Sequence, residues 1–393
     1  MTNNQPRTVA LLFPPRVSHL ERAARGIVDY ATRHGGWKFV VWTERFGVGI
    51  GSLVGWKGDG AILLIDTEGD ALTVEQLHIP VVNISGVMPD AGFPRVLIDN
   101  HAVGIAAAEH LLERGFRRFA YYGISDLWYS QCRCEAFRCH VEDAGMEFQD
   151  FTVGGIVDQR PWHHDEDELC AWLETLKPPV GLMACSDHRA RMVADACKRV
   201  GLEVPNDVAI IGVDDERIIC ELGEPTLTSI ARNNLKIGYE AAALLDHLMA
   251  GEAPDCTDVM VKPEGVVPRQ STDIVCADDI HLAAAIRYIR ANIGKPFDVK
   301  QLVARIPVSR RYVENGFKRL WSITPRQYIV NLRIDRAKQM LAGTEREKIE
   351  NVAKACGFNN PLQFRRVFKS NTGLSPREYR RRETAGRLGR RAT

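Results

Sequence analysis

The sequence predicts a two-lobed α/β unit followed by an all-α domain that contains two helix-turn-helix units. Three observations support this prediction. Apolar segments alternate with amphipathic segments through residues 7–270, basic residues are concentrated after residue 279, and one residue pattern occurs twice in that basic segment. A chain of 393 residues, 45% of them hydrophobic, is long and apolar enough for two or three ordered domains.

The short apolar segments of the first 270 residues have the composition of buried parallel strands, because runs of Val, Ile and Leu are typical of strands covered on both faces. We predict strands at 8–13, 37–42, 60–65, 80–85, 118–122, 181–185 and 208–213. We predict helices at 19–33, 101–115, 188–200 and 234–250, where apolar residues have helical spacing. This rhythm occurs twice, with a crossing near Asn100, which indicates two lobes with a ligand crevice at the carboxyl ends of the strands.

Polar residues at the predicted strand ends are candidates for binding a ligand rich in hydroxyl groups. Carboxylates accept hydrogen bonds from hydroxyls, and guanidinium groups donate to hydroxyl or ring oxygens. The candidates of these two kinds are Asp99, Arg133, Asp187, Arg189, Asp214 and Asp215. An Asp in this position also caps the helix that follows it, so both interpretations stay open.

Aromatic residues near the same crevice are candidates to cover the apolar face of a sugar. They are Phe13, Trp128 and Trp162. Core packing explains buried aromatic residues equally well.

One group of thiols and a histidine lies close together in the sequence, but its spacing does not match the common patterns of zinc sites. The cluster consists of Cys132, Cys134, Cys139 and His140. Thiols on one helix explain it better, and scattered cysteines are typical of a reducing compartment. We predict no metal and no cofactor.

The sequence lacks the marks of export, membrane insertion and nucleotide-dependent catalysis. No apolar run reaches the roughly 18 residues of a spanning helix, and the N-terminal MTNNQPRTVALLF has no cleavage site. Neither a G-x-x-x-x-G-K-(S/T) loop nor a G-x-G-x-x-G after the first strand is present. We therefore expect a cytoplasmic protein that is not an enzyme, against the alternatives of an exported solute-binding protein, a sugar kinase or a dehydrogenase.

One stretch of the α/β unit resembles the sugar-binding domains of the LacI/GalR repressors. It is ACSDHRARMVADACKRVGLEVPNDVAIIGVDD, followed by PTLTSIARNNLKIGYEAAALL. The resemblance implies a sensor of periplasmic-binding-protein-like fold, with Arg133, Asp187 and Asp214 at sugar-binding positions. We expect the chain to lack the N-terminal DNA-binding helices of that family, since the first predicted strand begins near Thr8.

Charge divides the chain sharply. Residues 279–393 contain 26 of the 51 Lys and Arg residues but only 9 of the 50 Asp and Glu residues, which leaves a net charge of +17 there and −16 in the rest. This asymmetry is typical of a nucleic-acid-binding module joined to an acidic one.

The basic segment contains one pattern twice, with an offset of 51 residues. The first copy is Ser309, Val313, Phe317, Lys318, Thr324, Pro325, Arg326 and Tyr328, and the second is Asn360, Phe364, Phe368, Lys369, Ser375, Pro376, Arg377 and Tyr379. Each copy predicts a helix, a turn, a capped second helix and a third helix beginning at Pro.

Residues off the buried face of each second helix have the chemistry of DNA contacts, since Arg and Gln suit base edges while Lys suits phosphates. In the first copy they are Arg310, Arg311, Glu314, Asn315, Lys318 and Arg319; in the second they are Leu362, Gln363, Arg365, Arg366 and Lys369. One basic helix would more simply be a solvated face, but two capped copies favour DNA binding.

This segment is similar to the DNA-binding domain of the AraC family. RIDRAKQML matches its linker helix, and IENVAKACGFNNPLQFRRVFKSNTGLSPREYR matches its signature. Two departures concern the first copy: Ser322 replaces a usual Gly, and Gly316 lies inside the helix, at an expected cost of about 1 kcal/mol. The resemblance implies base contacts near Arg311, Glu314 and Asn315, and near Leu362, Gln363 and Arg366.

The order of the two parts resembles the xylose operon regulator family. We expect a sugar-sensing domain at 1–270, a linker at 271–278, a double helix-turn-helix domain at 279–382 and a disordered basic tail at 383–393. The resemblance implies a homodimer that binds D-xylose between its lobes, engages double-stranded promoter DNA and activates transcription with RNA polymerase as a further partner. Another sugar inducer remains an alternative.

Overall fold

The protein is described by a computed structural model that covers residues 6–13, 18–41, 49–154, 162–252, 256–274, 280–321, 323–343 and 348–389. The chain divides into two compact units, Met1–Ile274 and Val275–Thr393. No helix among these residues combines the length and the hydropathy that crossing a bilayer requires.

The first unit contains two six-stranded sheets. Its strands are β1 (Thr8–Leu12), β2 (Lys38–Val41), β3 (Gly60–Leu63), β4 (Val81–Asn83), β5 (Arg95–Ile98), β6 (Arg118–Ile124), β7 (Glu147–Val153), β8 (Val180–Ala184), β9 (Val208–Val213), β10 (Thr228–Ala231), β11 (Asp258–Val261) and β12 (Gly265–Val267). The strand orders are β11-β5-β4-β3-β1-β2 and β12-β10-β9-β8-β6-β7. Pairing among the described strands is parallel except between β10 and β12, which confirms the predicted α/β architecture.

Helices cover these sheets. They are α1 (Ser18–His34), α2 (Glu68–Val74), α3 (Asn100–Leu112), α4 (Trp128–Asp143), α5 (Trp162–Thr175), α6 (Asp187–Arg199), α7 (Arg217–Glu221) and α8 (Asn234–Met249). The thiols Cys132, Cys134 and Cys139 lie on one helix, α4.

The chain crosses between the lobes three times, whereas the sequence predicts one crossing near Asn100. After β10 in the second sheet, α8 and β11 return to the first lobe, and β12 then rejoins the second sheet. The apolar rhythm locates strands, but it does not show to which sheet a strand is added, because that depends on pairing between distant segments.

Helices α1 and α8 pack so closely that their backbones nearly touch. A Cβ added at Gly238 would lie 1.8 Å from the carbonyl oxygen of Ala23, and one added at Gly26 would lie 2.0 Å from that of Leu235. Glycine is therefore required at both positions of this helix pair.

The predicted linker at 271–278 is wrong at its start, because residues 271–274 belong to the sensor unit. Ser271 and Thr272 are fully buried in a 3₁₀ turn (Gln270–Thr272). The Ser271 hydroxyl donates to the carbonyl of Ile210 and accepts from the backbone N–H of Thr228. Small polar residues suggest a linker from sequence, but here they satisfy buried backbone groups at the edge of β9 and β10.

The second unit is helical and has two hydrophobic clusters. Its helices are α9 (Ile280–Ala291), α10 (Val299–Val303), α11 (Arg310–Trp321), α12 (Pro325–Gly343), α13 (Ile349–Ala355), α14 (Pro361–Thr372) and α15 (Pro376–Gly389). The first cluster includes Phe317 and the start of α12; the second includes Phe368 and the rest of α12. Helix α12 thus contributes to both cores.

The helices of the second unit recur at the same offset of 51 residues as the sequence pattern. Helices α11 and α14 begin and end exactly one offset apart, as do the starts of α12 and α15. Asn360 accepts hydrogen bonds from the backbone N–H groups of Leu362 and Gln363, and Ser309 accepts one from that of Tyr312. The predicted pair of helix-turn-helix units is confirmed.

Two expectations for this unit need correction. Gly316 is not only a weak helix residue, because a Cβ there would lie 2.7 Å from a methyl of Leu282 on α9, so close packing of α9 on α11 favours Gly. The predicted disordered tail at 383–393 is wrong at its start, since α15 continues to Gly389. Adding a residue to an existing helix costs far less than starting one, which accounts for this extension. Ser322 and residues 390–393 lie outside the described residues.

The close contact of α1 and α8 leads to a stability prediction. Gly238→Ala should lower the free energy of unfolding by about 1–3 kcal/mol, because the added methyl overlaps a backbone carbonyl. In an ordinary helix the same change would stabilise by roughly 0.5–1 kcal/mol. Urea unfolding of the two proteins measures the difference.

Gly49→Ala is the matched control, because Gly49 has φ −67 and a Cβ there meets nothing within 4 Å. It should leave the stability nearly unchanged. Equal stability of Gly238→Ala and the parent protein would contradict the packing described for α1 and α8.

Candidate functional site

A cavity of about 240 Å³ lies where the carboxyl ends of strands from both sheets meet. Its polar lining residues are His19, Asp66, Ser85, Asn100, Tyr129, Arg133, Asp214 and Arg232. Its apolar lining includes Leu20, Leu64 and Ile84. The volume is below the roughly 300–1,000 Å³ of sites for drug-sized ligands, so the cavity suits a small polar molecule.

Arg133 is the central donor of this cavity and is held from three sides. It is 2% exposed, its Nε donates to Asn100 Oδ1 at 2.8 Å, and its Nη1 donates to the carbonyl of Cys185. The guanidinium carbon lies 4.8 Å from the ring centroid of Tyr129. These contacts fix the orientation of the guanidinium before any ligand binds.

Asp214 and Arg232, which follow β9 and β10 of the same lobe, form an ion pair at the cavity. Arg232 Nη1 lies 3.4 Å from Asp214 Oδ1, and both side chains are largely buried. Desolvation lowers the pKa of Arg232, and the neighbouring Asp214 carboxylate partly offsets this effect. Asp214 has φ 107, a backbone conformation that few L residues adopt and that is typical of functional sites.

The first lobe contributes an acidic group. Asp66 follows β3, and Ser85 donates its hydroxyl proton to Asp66 Oδ1. Burial raises the pKa of Asp66. Asp66 and Asp214 therefore supply acceptors from the two lobes, while Arg133 and Arg232 supply donors.

Two donors at this cavity lack a protein partner among the described residues. They are Asn100 Nδ2 and Arg232 Nε, which are buried and make no hydrogen bond there. Buried donors left unpaired cost about 1–3 kcal/mol each, so hydroxyl oxygens of a ligand would relieve that cost.

The lobes also touch beside the cavity. Arg22 on α1 donates to the carbonyl of Asp214 at 3.2 Å, and His19 Nδ1 lies 3.4 Å from Glu216 Oε1. Burial, and then the nearby Arg232, lower the pKa of His19. These contacts join α1 to the segment that follows β9.

The structure brings two of the predicted sugar-contact residues to the cavity wall, Arg133 and Asp214. The others lie elsewhere. Asp215 pairs with Arg269 at 2.6 Å, and Asp99 caps α3 by accepting from the N–H of Ala102. Arg189 donates to the hydroxyl of Tyr122 at 3.0 Å.

The aromatic candidates are also away from the lining. Phe13 is 5% exposed and belongs to the core, while the ring of Trp128 packs against the guanidinium of Arg95 at 5.2 Å. The side chain of Trp162 lies outside the described residues. Tyr129, next to Trp128, is the aromatic residue that lines the cavity.

Asp187 lies behind the cavity instead of on its wall. It is fully buried at the start of α6, Ser186 caps that helix, and Asp187 Oδ2 accepts from the N–H of Glu216 at 2.8 Å. Burial, and then the Asp214 charge, raise its pKa to about 7. Its position supports the segment that carries Asp214.

Sequence reasoning missed the other polar residues of the lining, although most satisfy the same rule. Asp66 follows a strand of the first lobe, Ser85 lies just after β4, and Arg232 directly follows β10. Applying the strand-end rule to both lobes would have found them. Tyr129 and His19 lie on helices and have no such sequence mark.

Metal binding has no support in the described residues, where no three His, Cys, Asp or Glu side chains group closely enough to hold an ion. Cys134 lies on α4, and burial raises the pKa of its thiol to about 12, away from the thiolate that metals require.

The second unit presents the predicted DNA contacts on the outer faces of α11 and α14. All of the predicted residues are exposed except Glu314, which is partly buried and pairs with Arg310 at 2.8 Å. Leu362 is 72% exposed, an unusual value for a large apolar residue. The inner faces bury Val313, Phe364 and other members of the two clusters.

A cleft of about 740 Å³ separates the two helix-turn-helix units. Arg310 and Glu314 of α11 line one side, and Gln363 of α14 lines the other. Arg333 of α12 also lines this cleft. The two recognition surfaces are therefore neighbours across one opening.

Comparison with known proteins supports both parts. The family described as a periplasmic binding protein-like domain matches residues 108–272, and the one described as a helix-turn-helix domain matches residues 302–382. The chain is 29% identical over 382 residues to the xylose operon regulatory protein of Escherichia coli strain K12, covering 95% of this chain and 96% of that protein. It is 31% identical over 333 residues to the xylose operon regulatory protein of Haemophilus influenzae, covering 82% and 84%. A solved structure of a xylose-binding transcription activator superposes with a TM-score of 0.69 at 28% identity, covering 97% of this chain and 99% of that one.

The buried Asp187 carboxyl leads to a pH prediction. Its pKa is about 7 in the folded protein against 3.8 ordinarily, so between these values the folded state binds more protons than the unfolded chain. The free energy of unfolding should then fall as pH rises from about 4 to about 7, and Asp187→Asn should flatten this dependence. Urea unfolding between about pH 5 and about pH 8 measures it.

Asp195→Asn is the control, because Asp195 is exposed on the same helix. Its profile should run parallel to that of the parent protein. A parallel profile for Asp187→Asn as well would show that Asp187 does not couple folding to protonation.

Proposed function

The chain belongs to the family of xylose operon regulatory proteins, and from this membership we propose that D-xylose, bound between the sensor lobes, controls how the chain engages promoter DNA. As a member of this family, the chain is a sugar-responsive, DNA-binding transcription regulator. The observation that carries the choice of effector class is the polar cavity of about 240 Å³ between the lobes.

The cavity has the alternating donors and acceptors that a monosaccharide requires, because each hydroxyl donates one hydrogen bond and accepts others. In the proposed complex Arg133, Asn100 Nδ2 and Arg232 donate hydrogen bonds to the sugar. Asp66 and Asp214 accept from hydroxyl groups. Leu20 and other apolar lining residues contact the C–H face of the ring.

The remaining predicted sugar residues receive supporting roles in this proposal. Asp187 and Asp215 hold the segment after β9 through the N–H of Glu216 and through Arg269. The guanidinium carbon of Arg189 lies 5.6 Å from the ring centroid of Tyr122 on β6. Strand β6 pairs with β8, which is followed by Cys185, the residue whose carbonyl accepts from Arg133. These residues position the wall without touching the sugar.

For DNA we propose that α11 and α14 enter successive major grooves on one side of the duplex, about 34 Å apart. Arg311, Glu314 and Asn315 contact bases in one groove, and Gln363 and Arg366 in the other. The other exposed residues contact the sugar-phosphate backbone or, for Leu362, a thymine methyl. The proposal has support from the outward position of these side chains on two capped helices.

The proposed mechanism joins these sites through a homodimer. Sugar binding closes the lobes, closure favours one dimer geometry, and that geometry aligns the DNA-binding units with two half-sites and allows contact with RNA polymerase. The chain then acts in the cytoplasm as an activator, without catalysis. Linkage requires that sugar and cognate DNA tighten each other's binding by the same factor.

Sugar titration tests the proposal. D-xylose should bind the full chain, and Asp214→Asn should weaken binding about 10-fold to 150-fold, because a hydrogen bond to a charged group contributes about 1.5–3 kcal/mol. Isothermal calorimetry gives both values, with Asp195→Asn on the exposed face of α6 as the control.

A panel of L-arabinose, D-ribose and D-glucose distinguishes the alternatives. A melting shift with one of these and none with D-xylose would keep the regulator class and change the inducer. Failure of every monosaccharide to bind would overturn the assignment of the cavity. Sugar affinity that stays the same with and without bound DNA would exclude the linkage.

Base reading by α14 leads to a second experiment. Arg366→Ala should cost about 1–3 kcal/mol on the preferred duplex and should relax base preference at one position. Lys369→Ala, one turn further on the same helix, should weaken binding about equally on all sequences. It should also reduce the slope of log affinity against log salt concentration by roughly one, because one phosphate contact is lost.

Selection of duplexes from a randomised library, followed by binding measurements at several salt concentrations, gives both results. An unchanged sequence profile for Arg366→Ala would remove this residue from base recognition.

A further inference from the structure

The two helix-turn-helix units touch at a second place besides the shared helix α12. The loop that precedes α10 meets the turn after α13, and both backbones approach closely. A Cβ on Gly357 would lie 2.6 Å from the carbonyl oxygen of Ile293 and 2.8 Å from that of Lys295. A Cβ on Gly294 would lie 3.0 Å from the carbonyl oxygen of Ala355. The units therefore meet backbone to backbone.

Arg333 fills the space between this contact and α12. Its Nη2 donates to the carbonyl of Lys295 at 2.9 Å. Its guanidinium carbon lies 5.2 Å from the ring centroid of Phe297 and 5.7 Å from that of Phe358. Phe297 packs against the core of the first unit, and Phe358 belongs to the core of the second. One guanidinium thus contacts both units at once.

This arrangement is costly for stability alone. Arg333 is 9% exposed, and within the described residues its partners are carbonyl oxygens and aromatic faces, while its Nε makes no hydrogen bond. Desolvation lowers its pKa. Replacing an imperfectly paired buried charge by apolar residues is often neutral or stabilising, so a role in fixing geometry explains the residue better than a role in stability.

The position of Arg333 connects this contact to the recognition surfaces. It lines the cleft that Arg310 and Glu314 of α11 border on one side and Gln363 of α14 on the other. A change in the angle between the units at Arg333 would therefore move α11 relative to α14.

We propose that Arg333 is a positioning residue that locks the two helix-turn-helix units in one relative orientation, so that the chain selects DNA by the spacing between its two major-groove contacts. The proposal rests on the DNA binding proposed above. Each base pair inserted between the contacts moves the second groove by about 3.4 Å and about 35°. A locked pair of units cannot follow that change, whereas an unlocked pair can.

The test uses the full chain and a duplex that it selects from a randomised library. Footprinting locates the two contacted segments, and duplexes are then made with one base pair added or removed between them. The wild-type chain should lose at least about 10-fold in affinity on each altered spacing, and Arg333→Met should lose less than about 3-fold. Arg333→Lys, which retains the charge and a donor for Lys295, should give an intermediate value.

Asp335→Asn is the matched control, since Asp335 is exposed on the same helix and pairs with Lys338 of that helix. It should change affinity by the same factor at every spacing and leave the spacing preference intact. If Arg333→Met does not fold, as judged by its thermal unfolding, Phe297→Leu provides the second variant, because it removes one aromatic face and keeps an apolar side chain. Phe297→Leu should also broaden the accepted spacings.

Several results would overturn the proposal. The first is that the wild-type chain binds duplexes of all spacings equally well. The second is that Arg333→Met and Phe297→Leu both fold and keep the wild-type spacing preference. A uniform loss of affinity at every spacing for Arg333→Met would show a merely structural or electrostatic role and would also overturn it. Failure of the wild-type chain to select any duplex would instead contradict DNA binding itself.

Discussion

Two buried arginines organise the two units, because a guanidinium removed from water must find acceptors or aromatic faces around it. In the sensor, Arg133 draws together Asn100, the carbonyl of Cys185 and the ring of Tyr129. In the DNA-binding unit, Arg333 draws together the loop before α10 and the turn after α13. Arg133 thus orders the cavity wall within one lobe, whereas Arg333 contacts both helix-turn-helix units.

The sensor cavity shows how a scaffold of parallel strands concentrates polar groups. Strand ends from two sheets meet at one place, so Asp66, Asp214 and Arg232 lie near each other although they are far apart in the chain. The backbone of Asp214 and Asp215 has positive φ, and both carboxylates are paired with arginines. Such a conformation persists only where surrounding contacts hold it, here including the buried Asp187.

The two helix-turn-helix units of the DNA-binding unit have nearly the same architecture but different exposed side chains. Helices α11 and α14 have identical lengths and the same buried positions. Their outward faces differ, since Glu314 and Asn315 on one correspond to Arg365 and Arg366 on the other. The same fold therefore offers two distinct recognition surfaces, and α12 joins them by taking part in both cores.

The sequence alone determined the classes of secondary structure, the duplicated helix-turn-helix pattern, the basic character of the second unit, and Arg133 and Asp214 as residues of the cavity. These properties are recorded locally, as the period of apolar residues, the identity of caps and the concentration of charge. Only the tertiary structure decided that the chain crosses three times between lobes, that residues 271–274 belong to the sensor, and that Asp187 lies behind the cavity instead of on its wall. The same holds for the positions of Tyr129, Gly316 and Arg333. Each of these depends on which distant segments come within a few ångströms, and a single sequence carries no local mark of that proximity.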